Sequence, residues 1–211
     1  MSQAVETMNH TQALARLRQG NQRFVNNVRS VEALVSQHQR ASLVGGQKPF
    51  AVVLSCSDSR VPSELVFDCG LGDLFVVRVA GNVVAPSIVG SVEFAAATFG
   101  TELVVVMGHT RCGAVNATVD ALTKGTQALS ANVGDIIERI SPAVADVVQS
   151  APSRDEMLKR ATIANVRAAV NHLRHGSRVL EERIQQGKLS VVAAQYALET
   201  GEVDFFDSAL G

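Results

Sequence analysis

The sequence has no tryptophan and a single tyrosine, and aromatic residues fill only 4% of its 211 positions. A core without large rings is built from Val, Ala and Leu, which suits a helix-covered parallel sheet with near-continuous aliphatic strands. Charge of one sign is lacking as well. Nineteen Lys and Arg face 20 Asp and Glu, leaving a formal net charge of -1 with no polybasic run and no acidic tail. That balance removes the electrostatic reason to expect nucleic acid or an anionic membrane as partner. No segment approaches the roughly 18 uninterrupted apolar residues of a membrane span. The opening Met1 to Thr11 is polar and has no apolar centre, so no secretory signal is expected. Cysteines number three, an odd count that argues against a disulfide framework and for a reducing, cytoplasmic setting. There, the Asn-x-Thr tripeptides at Asn9 and Asn116 are chance matches to a glycosylation pattern, and Cys with His points to metal.

What is present has a clear rhythm. Thr7 to Val25 carries Leu14, Leu17, Phe24 and Val25 at roughly helical spacing, and Val31 to Val44 is a weaker helix ended by Gly45-Gly46. Residues 1–45 have little core of their own and form a cap on the domain or a helical arm packed on a neighbouring subunit; the arm is our expectation. Strands follow at Phe50 to Ser55, Leu74 to Val79 and Leu103 to Gly108, with a helix from Ser87 to Gly100 between the last two. Cys112 to Leu122 is helical, and a turn follows at Lys124-Gly125-Thr126. Ser130 to Gln149 is helical with a break at Ser141-Pro142. Ser153 to Glu156 reads as a capping box opening a long helix toward His175. A further helix runs to Gly187, Leu189 to Leu198 is a last strand, and Val203 to Phe206 is a short hydrophobic end. The fold class is α/β: a mostly parallel central sheet with right-handed crossovers, flanked by helices, with C-terminal helices and a last edge strand. With no repeat and no linker, one domain over 1–211 with an α/β core at 50–211 is the economical organisation.

The chemistry is concentrated at two strand ends. Cys56, Asp58 and Arg60 follow the first strand at alternate positions, and His109 and Cys112 follow the third. Open α/β sheets place their ligand crevices at the carboxyl ends of strands. Two thiolates and an imidazole there form a tetrahedral zinc set with one position left over. Asp58 can fill that position, or it can be held by the Arg60 guanidinium. With Asp58 on Arg60, water takes the fourth place and zinc brings its pKa toward neutrality, giving hydroxide. With Asp58 on zinc there is no nucleophile. Zinc with two thiolates and a neutral imidazole sums to zero charge, so carboxylate and hydroxide compete on equal terms and hydroxide gains as pH rises. Activity is therefore expected to increase from neutral to alkaline pH.

Cys-Ser-Asp-Ser-Arg at 56–60 and Gly-His-Thr-Arg-Cys-Gly at 108–113, about fifty residues apart, resemble the two signature motifs of the β-class carbonic anhydrases. The resemblance continues through Gly72 to Arg78, Asn82, Glu93-Phe94, and Leu17 to Phe24, covering most of residues 14 to 122. It implies reversible hydration of carbon dioxide to bicarbonate by zinc hydroxide. Cys56, His109 and Cys112 are then the zinc ligands, with one Zn2+ per subunit, and Asp58 and Arg60 the gating dyad. Gln47 matches a glutamine that helps hold the substrate oxygen, Phe75 an apolar residue lining the carbon dioxide pocket, and Gly113 falls among the substrate-binding candidates. Homodimers or homotetramers with active sites at the dimer interface are also implied. The sequence departs from the family at Phe94, where many members have a tyrosine, and at Val79 to Asn82. An inhibitory bicarbonate site is not expected: Arg78 and Tyr196 match two of its residues, but Val53 stands in place of its tryptophan.

Rival functions use the same residues differently. The scaffold also suits hydrolysis of carbonyl sulfide or carbon disulfide, and a catalytically silent structural zinc site needs only a permanent Asp58 ligand. A nucleic-acid module lacks a basic face. Cys69 fits neither motif and reads as a buried thiol. His172 and His175 read as a solvated helix face, and His10 and His38 as exposed. Arg78 is a candidate brace at a subunit interface, and Asp73 a turn residue.

Overall fold

The structure is a computed structural model that describes residues 8–31, 33 and 37–206. The expected helix start at Thr7, and positions 32 and 34–36 of the expected second helix, lie outside the described residues, as does the side chain of His38. Helix α1 spans His10–Val25 and is opened by a capping box: Asn9 accepts from the Gln12 amide, and the Gln12 side chain accepts from the Asn9 amide. Its buried stripe is Ala13, Leu14, Leu17, Gly20 and Asn21. Leu14 and Leu17 pack against this chain's own sheet, burial that stabilises by about 1.5–3 kcal/mol for each leucine. Among the described residues, the second helix shrinks to α2, Gln37–Ser42.

The Val-rich runs form the strands β1 (Ala51–Ser55), β2 (Leu74–Arg78) and β3 (Leu103–His109). Every residue of β1 and β3 is buried, as strands covered on both faces require. A short helix α3 (Ser63–Val66) separates β1 from β2, and a 3₁₀ turn (Ala80–Asn82) leads into α4 (Pro86–Phe99). After β3 come α5 (Gly113–Lys124), α6 (Ala131–Ser150), α7 (Arg154–His175) and α8 (Arg178–Gln185). The chain then returns through β4 (Ser190–Tyr196) to β5 (Val203–Phe206).

The strand order is β2-β1-β3-β4-β5, with only the last pair antiparallel. From β1 the chain steps outward to β2 on one side, while from β3 it steps outward to β4 on the other. The carboxyl ends of β1 and β3 therefore flank a crevice at the topological switch point. On one face Val53, Val105 and Met107 pack under α1 with Phe67. On the other, Val52, Leu54, Val104 and Val106 meet Val92 and Ala95 of α4, Val166 and Val170 of α7 and Leu180 of α8. A third, smaller cluster joins Cys56 and Cys112 to Val115, Val119, Ile140, Val144 and Ala161 on α5, α6 and α7.

Four expectations need correction. No break occurs at Ser141-Pro142; α6 runs straight through Pro142. The proline withholds one ladder donor, but Ile140 and Val144 are fully buried around it and the Ser141 hydroxyl donates to the Ile137 carbonyl at 2.7 Å. The Leu189 to Leu198 strand is not the final one: Val203 to Phe206 pairs outside it as β5, which is the last edge strand. Ser153 caps α7 by accepting from the Glu156 amide, but the Glu156 carboxylate turns to Arg160 at 2.6 Å. His10 is half-buried.

Candidate metal centre

Cys56 is the first residue beyond β1, on the same alternation as Val52 and Leu54, so its thiol emerges on the α4–α7 side of the sheet at the crevice. The loop that follows is fixed by backbone. Val61 N–H donates to Asp58 O, Ser57 N–H to Val79 O, and Val79 N–H back to Ser55 O. Arg78, at the end of β2, clamps it from the side, donating through Nε to Cys56 O at 3.1 Å and through NH2 to Asp58 O at 2.6 Å. His109 ends β3, and Cys112 is the N-cap residue of α5, which points its first amides at the thiol.

The three ligand atoms of Cys56, His109 and Cys112 lie within 4.8 Å of one another, and all three residues are buried. Tetrahedral zinc with bonds of about 2.0–2.3 Å sets its ligand atoms at separations of this order. His109 Nδ1–H donates to Thr110 O at 2.8 Å, which leaves Nε2 as the bare lone pair. That Nε2 is buried and has no hydrogen-bond partner. An orphaned imidazole nitrogen facing two thiols is satisfied by a cation of borderline softness, so the residues fit zinc.

Electrostatics point the same way. The hydrogen bond from Cys112 lowers the Cys56 thiol well below its ordinary value against the opposing effect of burial, helped by the amides of Gly81 and Asp58. Cys112, as the donor, is pushed above it. The Gly81 N–H···Sγ distance is 3.3 Å, and Asn165 of α7 holds that turn by donating to Gly81 O at 2.8 Å. Gly81 has φ +68, and a Cβ there would sit 2.8 Å from Ile140 Cδ1 and 2.9 Å from Ala114 Cβ. Only glycine fits.

Asp58 is bound to Arg60, with Nε to Oδ1 at 2.9 Å and NH2 to Oδ2 at 2.7 Å, and the Arg60 amide also donates to Oδ1. The guanidinium holds its carboxyl well below the usual carboxylate range. Asp58 Oδ2 nevertheless lies only 3.9 Å from His109 Nε2.

The other sequence candidates are more dispersed. Gly113 opens α5 beside Cys112, exposed, with open space where a Cβ would stand. Phe75 is half-buried on β2, with ring centroids 6.3 Å from Phe94 and 6.1 Å from Phe99. Gln47 is exposed in a groove with Arg40, Leu43, Val44 and Leu71, whose lining includes none of the three ligands. Cys69 is buried and donates to Phe67 O, and burial pushes its thiol up to about 12. Asp73 accepts from Gly70 N–H in a turn and from Arg16 of α1. Sequence reasoning missed the work of Arg78, Gly81 and Asn165. Of these only Arg78, at a strand end beside the motif, carried a local signal.

An open, mostly parallel sheet with Cys, His and Cys converging at its switch point defines an α/β protein with a cluster that could hold a metal ion. The family model for carbonic anhydrase matches residues 51–203. The chain belongs to the carbonic anhydrase family, in its β class. It is 42% identical over 186 residues to carbonic anhydrase 2 of Mycobacterium tuberculosis, covering 88% of this chain and 87% of that one. It is 38% identical to the carbonic anhydrase of Mycolicibacterium smegmatis over 188 residues, covering 89% of each. Among solved structures it superposes on the β-carbonic anhydrase CcaA with a TM-score of 0.75 at 27% identity, covering 93% and 89%.

Proposed function

We propose that the chain interconverts carbon dioxide and water with bicarbonate and a proton at zinc held by Cys56, His109 and Cys112, with Asp58 and Arg60 as the gate. The observation that carries this reading is the position of Asp58: gripped by Arg60 through both oxygens, yet 3.9 Å from the orphaned His109 Nε2. Zinc, when bound, supplies the Lewis acidity that makes water nucleophilic near neutral pH. Asp58 on Arg60 leaves the space beside Nε2 to water and offers Oδ2 as acceptor for a water hydrogen, orienting the oxygen lone pair. Released from Arg60, the same carboxylate takes the water's place. A silent structural site has no use for an arginine that draws its fourth ligand away. Gly113, exposed beside Cys112, gives a small neutral substrate an open approach, while Phe75, like Gln47, lies away from its own chain's cluster and is an apolar wall only for a partner's site.

Self-association, as homodimer or homotetramer, belongs to the same reading. Gln47 stands apart from its own chain's cluster, as expected of a residue that serves a partner's site, and Phe94 is 53% exposed beside Phe75. Three free cysteines support a cytoplasmic location. The test is stopped-flow carbon dioxide hydration by zinc-replete protein between pH 7 and 9, beside Asp58→Ala. Silence of the wild type at every pH would sink the proposal.

A further inference from the structure

The two ligands His109 and Cys112 are separated by Thr110 and Arg111, and both intervening residues are tied to one distant carboxylate. Thr110 Oγ1 donates to Glu199 Oε2 at 2.7 Å, and Arg111 Nε donates to Glu199 Oε1 at 2.6 Å. The Leu198 amide in turn donates to Thr110 Oγ1 at 3.0 Å, and Thr110 N–H donates to Tyr196 O at 3.0 Å. Thr110 is also the residue whose carbonyl receives the His109 Nδ1–H. Arg111 has φ 57, left-handed backbone that a non-glycine residue adopts only when its surroundings impose it. That reversal brings Cys112 back beside His109.

Glu199 is itself held. It lies in the connection between β4 and β5, a turn closed by Gly201 N–H to Ala197 O at 2.8 Å and Ala197 N–H to Glu202 O at 2.8 Å. Asn21 of α1 staples this turn, donating to Gly201 O at 2.8 Å and accepting from Val203 N–H at 2.9 Å. As an ion pair, Arg111–Glu199 is well exposed, and such pairs contribute little to stability. Its geometry is the informative part: one carboxylate reaches both residues that lie between two ligands of one ion.

We propose that Glu199 is a positioning residue for the metal centre, holding Thr110 and Arg111 so that His109 and Cys112 are presented to the ion at the required spacing. The inference rests on the metal-site reading above. Partners that orient metal ligands without touching the ion typically change affinity by about 10–100-fold when removed.

The experiment is Zn2+ affinity by chelator competition, with Co2+ absorption spectra, for wild type, Glu199→Ala, Glu199→Gln and Thr110→Val. Melting temperatures of the metal-free proteins are measured alongside. Glu199→Ala is expected to weaken Zn2+ by about 10–100-fold with the metal-free melting temperature nearly unchanged. Glu199→Gln, which keeps the shape but not the charge, should weaken it less and shift the Co2+ ligand-field bands. Adding Thr110→Val to Glu199→Ala should cost little more, because the two act as one unit. Equal Zn2+ affinity and coincident Co2+ spectra in wild type and both Glu199 variants would overturn the role of Glu199 and leave the metal site standing. A wild type that binds no Zn2+ would overturn both. A loss that merely tracks a fallen melting temperature would also overturn the positioning role.

Discussion

Arg60 grips Asp58 through both carboxylate oxygens, at 2.9 and 2.7 Å, across only two residues of chain. The guanidinium keeps the carboxyl ionised far below neutral pH, so Asp58 has no proton to lose between pH 6 and 9. The expected rise in hydration rate from neutral to alkaline pH therefore reports the nucleophilic water and not this carboxylate. Asp58→Ala should lower the rate by about 10–100-fold at pH 8 while leaving Zn2+ content intact, measured by stopped flow and metal analysis.

Arg60→Ala makes the opposite kind of change. On the proposed gate the carboxylate loses the partner that draws it away and is left to exclude water, so the pH–rate profile should move to higher pH with the alkaline plateau largely retained. An unmoved profile would mean that Arg60 does not contest Asp58.

Gly81→Ala puts a Cβ 2.8–2.9 Å from Ile140 and Ala114 at φ +68. The expected cost is about 1–3 kcal/mol, seen as a lower melting temperature. The Gly81 N–H···Sγ bond to Cys56 should suffer with it, so Zn2+ should be released faster to chelators. Gly20→Ala is more severe. Its Cβ would fall 1.9 Å from the Phe67 carbonyl oxygen, and the variant should fail to accumulate as folded protein.

Cys69 should resist alkylation at pH 8 until the chain unfolds. Its folded-state thiol titrates at about 12 against an ordinary 9.0, with burial as the largest cause. Between these values the unfolded chain binds fewer protons than the folded one, so stability should fall as pH rises through that window. Cys69→Ala should flatten this alkaline limb in denaturant titrations.

Much of the centre was legible because its signals are local. Cys56, His109 and Cys112 each follow an aliphatic strand directly, and a strand delivers its next residues to the sheet edge. What escaped reading acts across sequence: Asn165 reaches Gly81 over 84 positions, and Glu199 reaches Arg111 over 88. No periodicity encodes such pairs. Pro142 misled because a local breaker lost to the burial of Ile140 and Val144 around it. Val203 to Phe206 is four residues long, too short for alternation to mark a strand, and takes its register from β4. Gln47 and Phe75 were found by resemblance alone.

Asn21 bonds Val66, Gly201 and Val203, joining the first helix to the final hairpin. During synthesis, both ligand motifs leave the ribosome some ninety residues before that hairpin exists. A nascent chain that already displays all three ligands still lacks the strand, turn and staple that orient the His109–Cys112 loop. On the positioning role proposed for Glu199, tight metal binding is therefore expected only once the β4–β5 hairpin has formed.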